Sequence, residues 1–414
     1  MNGETKGRGK LVQFGAGNIG RSFIGQVFSR GGYEVVFVDI DIKLIERLNS
    51  EGEYRVVIKR NDRPDEILTV GGVRGVDGRY TARVAEEIAG ASYISTSVGK
   101  GALPHIMPVI AKGLEVRMEK DRPPGPKTRR PGTRPAARPL DIIIAENIRN
   151  GADFFRSSLA GHLPEDFPLD DVLGLVETSI GKMVPIMREE DLEHDPLWVF
   201  AEEYNTLIVA GGGFKGPLPD VPGLKPVKNI TAYVDRKLFI HNLGHAAAAY
   251  LGYRRNPDWD YIWEPLEDGE VYAETRRAME EAAAALNAEY PADLPQADLE
   301  EHIDDLLTRF RNRALGDTVY RVGRDLNRKL GRNDRLVGAM LLAEKHSLPY
   351  TGIAKAVQAA FTFRKTDEEG NLFPGDEEFA SAIYPKGPEN ILAEVCGLDD
   401  TLPEDAAVME KLLE

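Results

Sequence analysis

The stretch KLVQFGAGNIGRSFIGQVFSRGGYEVVFVD, residues 10–39, has the pattern of a strand, a glycine-rich turn, a helix and a second strand. Its first apolar run, residues 10–14, predicts a short buried strand. Behind the turn, apolar residues recur at helical spacing, and the pair Gly31-Gly32 ends the helix. The run EVVFVD predicts a second buried strand. This order is typical of the first unit of a dinucleotide-binding domain.

Three glycines in the turn, Gly15, Gly17 and Gly20, have the spacing G-x-G-x-x-G. They allow a tight turn, leave room for the phosphates of a dinucleotide and let helix and strand pack closely. The start of the helix adds N–H groups and the positive end of its dipole. Asp39 follows Gly20 by 19 residues, the distance expected for a carboxylate that binds the adenosine ribose. Because it would repel a 2′-phosphate, the sequence favours NAD over NADP.

The remaining pattern predicts two domains. Strand-like runs alternate with helical stretches in the first half, which favours an α/β fold with a parallel, doubly wound sheet. A segment rich in Gly and Pro, residues 211–226, then leads into helix after helix. We therefore predict an NAD-binding Rossmann-type domain at 1–227 and a mainly α-helical substrate domain at 228–414. The later strand-like runs lie at 67–70, 93–98, 141–147 and 172–180.

Composition and charge limit the class of protein. The 414 residues carry a net charge of −15, so we expect no general affinity for nucleic acid or for a membrane surface. The sequence has neither an apolar run of about 18 residues nor the apolar segment of a signal peptide, which predicts a cytoplasmic protein. Its single cysteine, Cys396, excludes an internal disulfide and a zinc site built from several cysteines.

A stretch rich in proline and arginine, residues 119–139, interrupts the first domain. It is nearly devoid of apolar residues and cannot build a core, so we predict a disordered surface insertion. A polybasic contact arm is the alternative.

A second polar pattern lies in YVDRKLFIHNLGH, residues 233–245. On a helical wheel Lys237, His241, Asn242 and His245 share one broad sector. A lysine whose pKa is lowered by burial or by a neighbouring cation can act as the base that an alcohol needs. Asn and neutral His can donate hydrogen bonds to the oxygen that develops charge. The alternative is a solvated helix face with structural histidines.

Tyr233 and Lys237 also have the Y-x-x-x-K spacing of short-chain dehydrogenases. In that family the pair belongs to the nucleotide domain and the glycine turn has the pattern G-x-x-x-G-x-G. Both the glycine spacing and the place of the pair differ here, which disfavours that interpretation.

Several segments resemble the polyol-specific long-chain dehydrogenases, and within them the branch that acts on mannitol 1-phosphate. The similarity extends from about residue 10 to 360 and includes residues 309–336; its most specific element is K-x-x-x-x-N-x-x-H, at 237–245. It implies a metal-free enzyme with an N-terminal Rossmann domain, a helical domain and an active site between them. The other similar segments are FGAGNIGRSFIG, ENIRNG and GFKGPLPDVPG.

The resemblance also implies the roles of single residues. Lys237 would be the general acid and base, while Asn242 and His245 would hold and polarise the reacting oxygen. Asn147 would be a further donor on the oxyanion side. The expected cofactor contacts are Phe14, Gly15, Ala16, Gly17, Asn18, Ile19, Gly20, Arg21, Asp39, Ser97 and Val98.

The chain departs from the branch near the expected substrate wall. Gly181 and Lys182 stand where an acid–arginine pair is usual, and His241 stands where an apolar or small residue is usual. These changes leave the identity of the sugar open.

A substrate phosphate would need local cations in an acidic protein. Arg321 and Arg324, with Arg328, have the spacing of one helix face and could bind it through their guanidinium groups; Lys215 is a further candidate. The alternative is a face whose charges are balanced by nearby aspartates, Asp317 among them.

The reaction implied by the resemblance is reversible hydride transfer between NAD and a sugar alcohol, foremost D-mannitol 1-phosphate and D-fructose 6-phosphate. A hexuronate reductase or a dehydrogenase of unphosphorylated polyols is the alternative within the family. From another class, a non-catalytic protein that binds a dinucleotide remains open. The sequence does not determine the oligomeric state.

Overall fold

The computed structural model describes residues 8–121, 138–185, 187 and 195–414. It divides into two compact units, one up to Ile230 and one from Thr231 to Glu414. Of the insertion predicted at 119–139, residues 122–137 lie outside the described part.

Among the described residues, the first unit is built on an eight-stranded sheet with the order β11-β10-β8-β7-β6-β1-β2-β5. All its neighbouring pairs are parallel except β8 with β10. The predicted doubly wound sheet is therefore confirmed, with one antiparallel pair near an edge. The strands are β1 Lys10–Phe14, β2 Glu34–Asp39, β3 Glu53–Ile58, β4 Glu66–Gly71, β5 Val73–Asp77, β6 Tyr93–Thr96, β7 Leu140–Ile144, β8 Leu173–Ser179, β9 Val199–Ala201, β10 Leu207–Ala210 and β11 Leu224–Val227.

Both faces of the large sheet are covered, so two hydrophobic cores form. Successive side chains of a strand point to opposite faces: in β2, Val35 and Phe37 belong to one core and Val36 and Val38 to the other. Because both faces are buried, these strands are continuous apolar runs rather than alternating ones. The helices of this unit are Gly20–Gly25, which is a π-helical turn, Gln26–Arg30, Ile42–Glu51, Thr81–Ala89, Leu103–Lys120, Gly151–Ala160 and Leu169–Val172, with a short 3₁₀ turn at Gly211–Gly213.

A small second sheet, with the order β4-β3-β9, was not expected. The run at 67–70 was counted among the strands of the parallel sheet, and that placement is wrong: it lies in β4, antiparallel to β3. The reason is the short connection between β3 and β4, since parallel neighbours need a crossover of about a dozen residues or more.

The second unit is mainly helical, as predicted. Small residues let its helices approach closely: a Cβ on Gly244 would lie 2.5 Å from Met279 Sδ. No helix in the described part of the chain has the length and apolar character needed to cross a membrane. The helices from Ile230 onward are Ile230–Arg236, Lys237–Asn242, Leu243–Arg255, Pro265–Glu267, Gly269–Glu289, Gln296–Phe310, Arg313–Leu315, Val319–Gly323, Leu326–Lys329, Val337–Lys345, Thr351–Phe361, Pro374–Glu378, Phe379–Ile383, Tyr384–Lys386, Pro388–Asn390, Ile391–Val395 and Pro403–Leu413.

Candidate active site

Predicted cofactor residues of the first unit, and Asn147, which was predicted as a catalytic donor, lie at one edge of the large sheet. β7, β6, β1 and β2 are parallel neighbours, so their carboxyl ends lie side by side. Gly15 follows β1, Asp39 ends β2, Ser97 follows β6 and Asn147 lies just beyond β7. In open α/β sheets this edge is where ligands bind.

A residue without a Cβ suits each of the three positions in the turn for a different physical reason. Gly15 has a φ of +90°, and a Cβ there would lie 2.6 Å from the carbonyl oxygen of Ser97. A Cβ on Gly20 would lie 2.1 Å from the carbonyl oxygen of Gly15, so close packing within the protein requires this glycine. A Cβ on Gly17 would meet no atom within 4 Å. No protein atom fills that space, so a phosphate group has room to lie close to the backbone there.

Asp39 accepts two backbone hydrogen bonds, one of them from the glycine turn. Its Oδ2 accepts the backbone N–H of Ala16 at 2.6 Å and its Oδ1 accepts that of Asp41 at 3.0 Å. The carboxylate is only half-buried, and each oxygen keeps a lone pair that a ribose hydroxyl can use.

Arg21 is turned inward, behind the turn. Its Nε donates to the carbonyl of Ala16 at 2.7 Å and its Nη1 to that of Leu197 at 3.0 Å, while burial lowers the pKa of its guanidinium. The Tyr54 hydroxyl donates to the carbonyl of Arg21 at 2.6 Å. In this arrangement Arg21 stabilises the turn, and its N–H groups donate to carbonyls of the protein itself.

Glu146 was not predicted as a site residue from the sequence, although it directly precedes Asn147. Its two carboxylate oxygens accept the backbone N–H groups of Val98 and Gly99 at 2.8 and 2.9 Å. Burial raises the pKa of Glu146 and the two hydrogen bonds oppose that shift. Glu146 thus fixes the loop after β6 to the loop after β7, where Asn147 is exposed.

In the second unit, the predicted catalytic helix contains a π-helical turn from Lys237 to Asn242, between α-helical segments. A π-turn bonds residue i to i+5 and is often found at functional sites. The α-helical wheel therefore does not describe this segment. With the wider turn, Asn242 comes nearer to the line of Lys237 than the wheel predicts.

Lys237 is half-buried. Burial lowers the pKa of Lys237 to about 8, and the neighbouring charge of Arg335 acts in the same direction. A lysine needs such an environment to act as a base near neutral pH.

The two histidines lie together beside Phe310. The ring of His245 stacks on Phe310 with 4.5 Å between centroids and an interplanar angle of 3°, and His241 lies 6.3 Å from His245. Burial, followed by the charge of Arg309, lowers the pKa of His241 well below its ordinary value. This shift favours the neutral form of His241.

His245 has a partner that the sequence did not identify. Its Nε2 lies 3.0 Å from Oδ2 of Asp317, a buried carboxylate. The contact is oblique to the ring N–H direction and falls outside ordinary hydrogen-bond geometry. Arg321 contacts the other oxygen of Asp317, its Nε at 2.7 Å.

The arginines expected on one helix face do not share one. The helix Val319–Gly323 ends at Arg324, and Asp325 takes a φ of +72° before the next helix. The buried carboxylate of Asp376 accepts the N–H groups at this break, from Asp325 at 2.9 Å and from Leu326 at 2.7 Å. This long-range hydrogen bonding, invisible in the local pattern, turns the chain between Arg321 and Arg328.

Two of these arginines have the acidic partners that the alternative predicts. Arg321 contacts Asp317, and Arg328 Nε lies 2.5 Å from Asp325. Arg324 lies over the rings of Tyr320 and Phe373, at 5.4 and 5.6 Å from their centroids. Among the described residues it has no ion-pair partner.

The structure does not bring Lys215 to the carboxyl edge of the sheet. Its backbone N–H donates to Asp141 Oδ1 at 2.7 Å, and Asp141 lies at the amino end of β7. The Lys182 ammonium donates to Asn205 Oδ1 at 3.0 Å and lies over the ring of Phe23. Within the described part of the chain, no group of three or more His, Cys, Asp or Glu is arranged to hold a metal ion.

Comparison with solved structures gives the same architecture. A D-sorbitol dehydrogenase in substrate-free form is 15% identical with a TM-score of 0.74, over 97% of this chain and 91% of that one. A Pseudomonas fluorescens mannitol 2-dehydrogenase, in a ternary complex with NAD and D-mannitol, is 15% identical with a TM-score of 0.68, over 99% and 95%. The fold is thus that of a Rossmann-type domain followed by a helical second domain.

Sequence comparison identifies the family. The models described as mannitol dehydrogenase Rossmann domain and mannitol dehydrogenase C-terminal domain match residues 9–223 and 229–412. A mannitol-1-phosphate 5-dehydrogenase of Brevibacillus brevis is 33% identical over 404 residues, 97% of this chain and 96% of the relative. The chain belongs to the mannitol dehydrogenase family.

Proposed function

We propose that this protein is an NAD-dependent polyol dehydrogenase that interconverts D-mannitol 1-phosphate and D-fructose 6-phosphate, with Lys237 as the general acid and base. Family membership and the relative that acts on the phosphate support the substrate class. The observation that carries the mechanism is the environment of Lys237, whose pKa burial and Arg335 lower to about 8.

The residues at the carboxyl edge of the sheet fit NAD. The open space at Gly17 suits the pyrophosphate, and Asp39 has acceptor capacity for the ribose. The cofactor, when bound, takes up the hydride from the alcohol carbon. Glu146 and Arg21 hold the surrounding loops, from which Ser97 and Val98 would contact it.

Lys237 handles the proton. An alcohol gives up a hydride only as its hydroxyl proton leaves, so the neutral amine accepts that proton at Nζ, and in the reverse reaction the ammonium returns it. Asn242 lies at the end of the same π-turn and would donate a hydrogen bond to the reacting oxygen. His245 would contact the substrate beside it, and Asn147 stays a predicted further donor.

Replacing Lys237 tests the mechanism. Lys237→Met keeps most of the length of the side chain and removes the base, so kcat should fall by about two to four orders of magnitude. Binding of NADH, followed by its fluorescence, should stay within about twofold, because the residues expected to hold it are elsewhere in the chain. Lys345→Met removes an exposed lysine paired with Glu289 and is the matched control. Turnover retained in Lys237→Met would reject the assignment.

A substrate phosphate is best served by Arg324, since its guanidinium has no ion-pair partner among the described residues whereas Arg321 is engaged by Asp317. Arg324→Ala should raise the KM for D-fructose 6-phosphate at least about tenfold, the loss of a charged hydrogen bond, and leave the KM for D-fructose unchanged. Arg328→Ala, which removes an arginine paired with Asp325, is the control. Equal effects on both sugars would reject the phosphate contact.

The alternatives are tested by a substrate panel read through NADH absorbance. Turnover of unphosphorylated polyols or hexuronates alone would replace the phosphate substrate with one of those classes. Inactivity on every substrate, together with intact NADH binding, would favour a non-catalytic dinucleotide-binding protein.

A further inference from the structure

Asp317 sits on a rigid segment beside the catalytic helix. Its carbonyl accepts the N–H of Ile262 at 2.9 Å, and the next residue pairs with Tyr261 in an isolated β-bridge. Thr318 caps the following helix through its side chain, which accepts the N–H of Arg321 at 3.1 Å. The backbone around the carboxylate is therefore held on both sides.

The carboxylate of Asp317 stays ionised although it is buried. Burial raises its pKa, but the contacts with His245 and Arg321 outweigh that effect, so the pKa is lowered overall. An ionised carboxylate can only accept hydrogen bonds. It therefore favours a proton on the ring nitrogen that lies nearest to it, which is Nε2 of His245 at 3.0 Å.

The other side of His245 is fixed by packing. The Phe310 ring stacks on it almost in parallel, which limits rotation of the imidazole. Nδ1 has no hydrogen-bond partner among the described residues. With the proton on Nε2, a neutral imidazole presents Nδ1 as an acceptor.

We propose that Asp317 is a positioning residue: it holds the proton of His245 on Nε2, so that Nδ1 accepts a hydrogen bond from a substrate hydroxyl. This inference rests on the proposed function, because it assigns His245 the opposite role from the donor expected in the sequence. Donation to the reacting oxygen then falls to Lys237 and Asn242. Arg321 keeps Asp317 charged and in place.

The tautomer can be measured directly in the full chain labelled with ¹⁵N-histidine, about two pH units above the ordinary histidine pKa. His245→Gln removes one of the seven histidine signals and so assigns it. The wild-type protein should show His245 protonated on Nε2, and Asp317→Asn should shift that signal toward a mixture of tautomers. Asp304→Asn, an exposed aspartate paired with Arg276, is the control and should leave it unchanged.

Kinetics give the second readout. Asp317→Asn should lower kcat for polyol oxidation by about tenfold to a hundredfold, the cost of losing one charge-assisted contact, without changing the dissociation constant of NADH. Asp317→Glu should recover part of kcat.

The outcomes separate the two proposals. Wild-type His245 protonated on Nδ1, or an unchanged signal and kcat in a folded Asp317→Asn, would overturn the role of Asp317. The wild-type spectrum decides this even if the variant does not fold. Inactivity of the wild-type enzyme on all polyols would overturn the proposed function, while the tautomer measurement would still decide the position of the proton.

Discussion

The backbone N–H of Ala16 and the carboxylate of Asp39 are joined by a hydrogen bond of 2.6 Å, although 23 residues separate them. This bond ties the glycine turn to the end of the neighbouring strand. The residue that would recognise the ribose therefore also shapes the turn that would hold the pyrophosphate.

Asp39→Asn should shift cofactor preference from NAD toward NADP. The amide keeps an oxygen for Ala16 but loses the charge that repels a 2′-phosphate and strengthens the ribose contact. The ratio of kcat/KM for NAD to that for NADP should fall about tenfold to a hundredfold. Asp41 caps the next helix, where its side chain accepts the N–H of Leu44. Asp41→Asn removes the same charge two residues away from Asp39 and should leave the ratio unchanged. An unchanged ratio in Asp39→Asn would contradict the role.

Two glycine substitutions should separate binding from folding. Gly17→Ala places a Cβ in open space, so its free energy of unfolding should change little, while the KM for NAD should rise at least about tenfold if a phosphate occupies that space. Gly20→Ala drives a Cβ into the carbonyl of Gly15 and should destabilise the protein by about 1–3 kcal/mol. Denaturant unfolding and initial rates measure the two effects. A Gly17→Ala enzyme with unchanged KM would show that the space does not hold the cofactor.

The pH dependence should report Lys237. Oxidation of the polyol needs the neutral amine, so kcat/KM should rise with pH through the lysine pKa of about 8, and the reverse reaction, which needs the ammonium, should fall through the same range. Arg335→Met removes a like charge and should move both profiles to higher pH, by less than the full shift because burial remains the larger cause. Arg335→Lys should keep them in place.

A competing group has to be excluded in the same experiment. Lys329 is buried, donates to the carbonyl of Val322 at 2.5 Å, and burial and Arg335 lower its pKa to about 7. If the rise of kcat/KM with pH disappears in Lys329→Met but persists in Lys237→Met, the pH profile belongs to Lys329 instead.

Glu146→Gln should loosen the loop after β6. An amide presents only one acceptor oxygen, so the N–H of Val98 or of Gly99 loses its partner. The KM for NAD should rise severalfold and the free energy of unfolding should fall by about 1–3 kcal/mol. Glu115→Gln, which removes a half-buried carboxylate paired with Lys112, is the control. An unaltered KM would mean that the loop does not contact the cofactor.

The sequence predicted those parts of the fold that local patterns encode. The strand ending at Phe14, the steric demand at Gly15 and the strand ending at Asp39 each depend on residues close in the chain. Periodicity also predicted the helical second unit. The small sheet was not predicted, because a short apolar run such as residues 67–70 does not indicate which strands it pairs with.

The site was predicted less completely, since its chemistry depends on contacts between distant residues. Lys237 and His245 could be named from their spacing, but the pKa of the lysine depends on burial and on Arg335, and the neighbours of the histidine are Phe310 and Asp317. The break after Arg324 depends on Asp376.

The sequence by itself determined the change from an α/β unit to a helical unit, the glycine turn and the polar side chains at 237–245, because steric needs and hydrophobic periodicity act over a few residues. Only the tertiary structure decided which side chains are buried or paired, and it places the backbone of Lys215 against Asp141, at the amino end of β7. Burial and ion pairs arise from whatever packs against a residue, and those neighbours come from elsewhere in the chain.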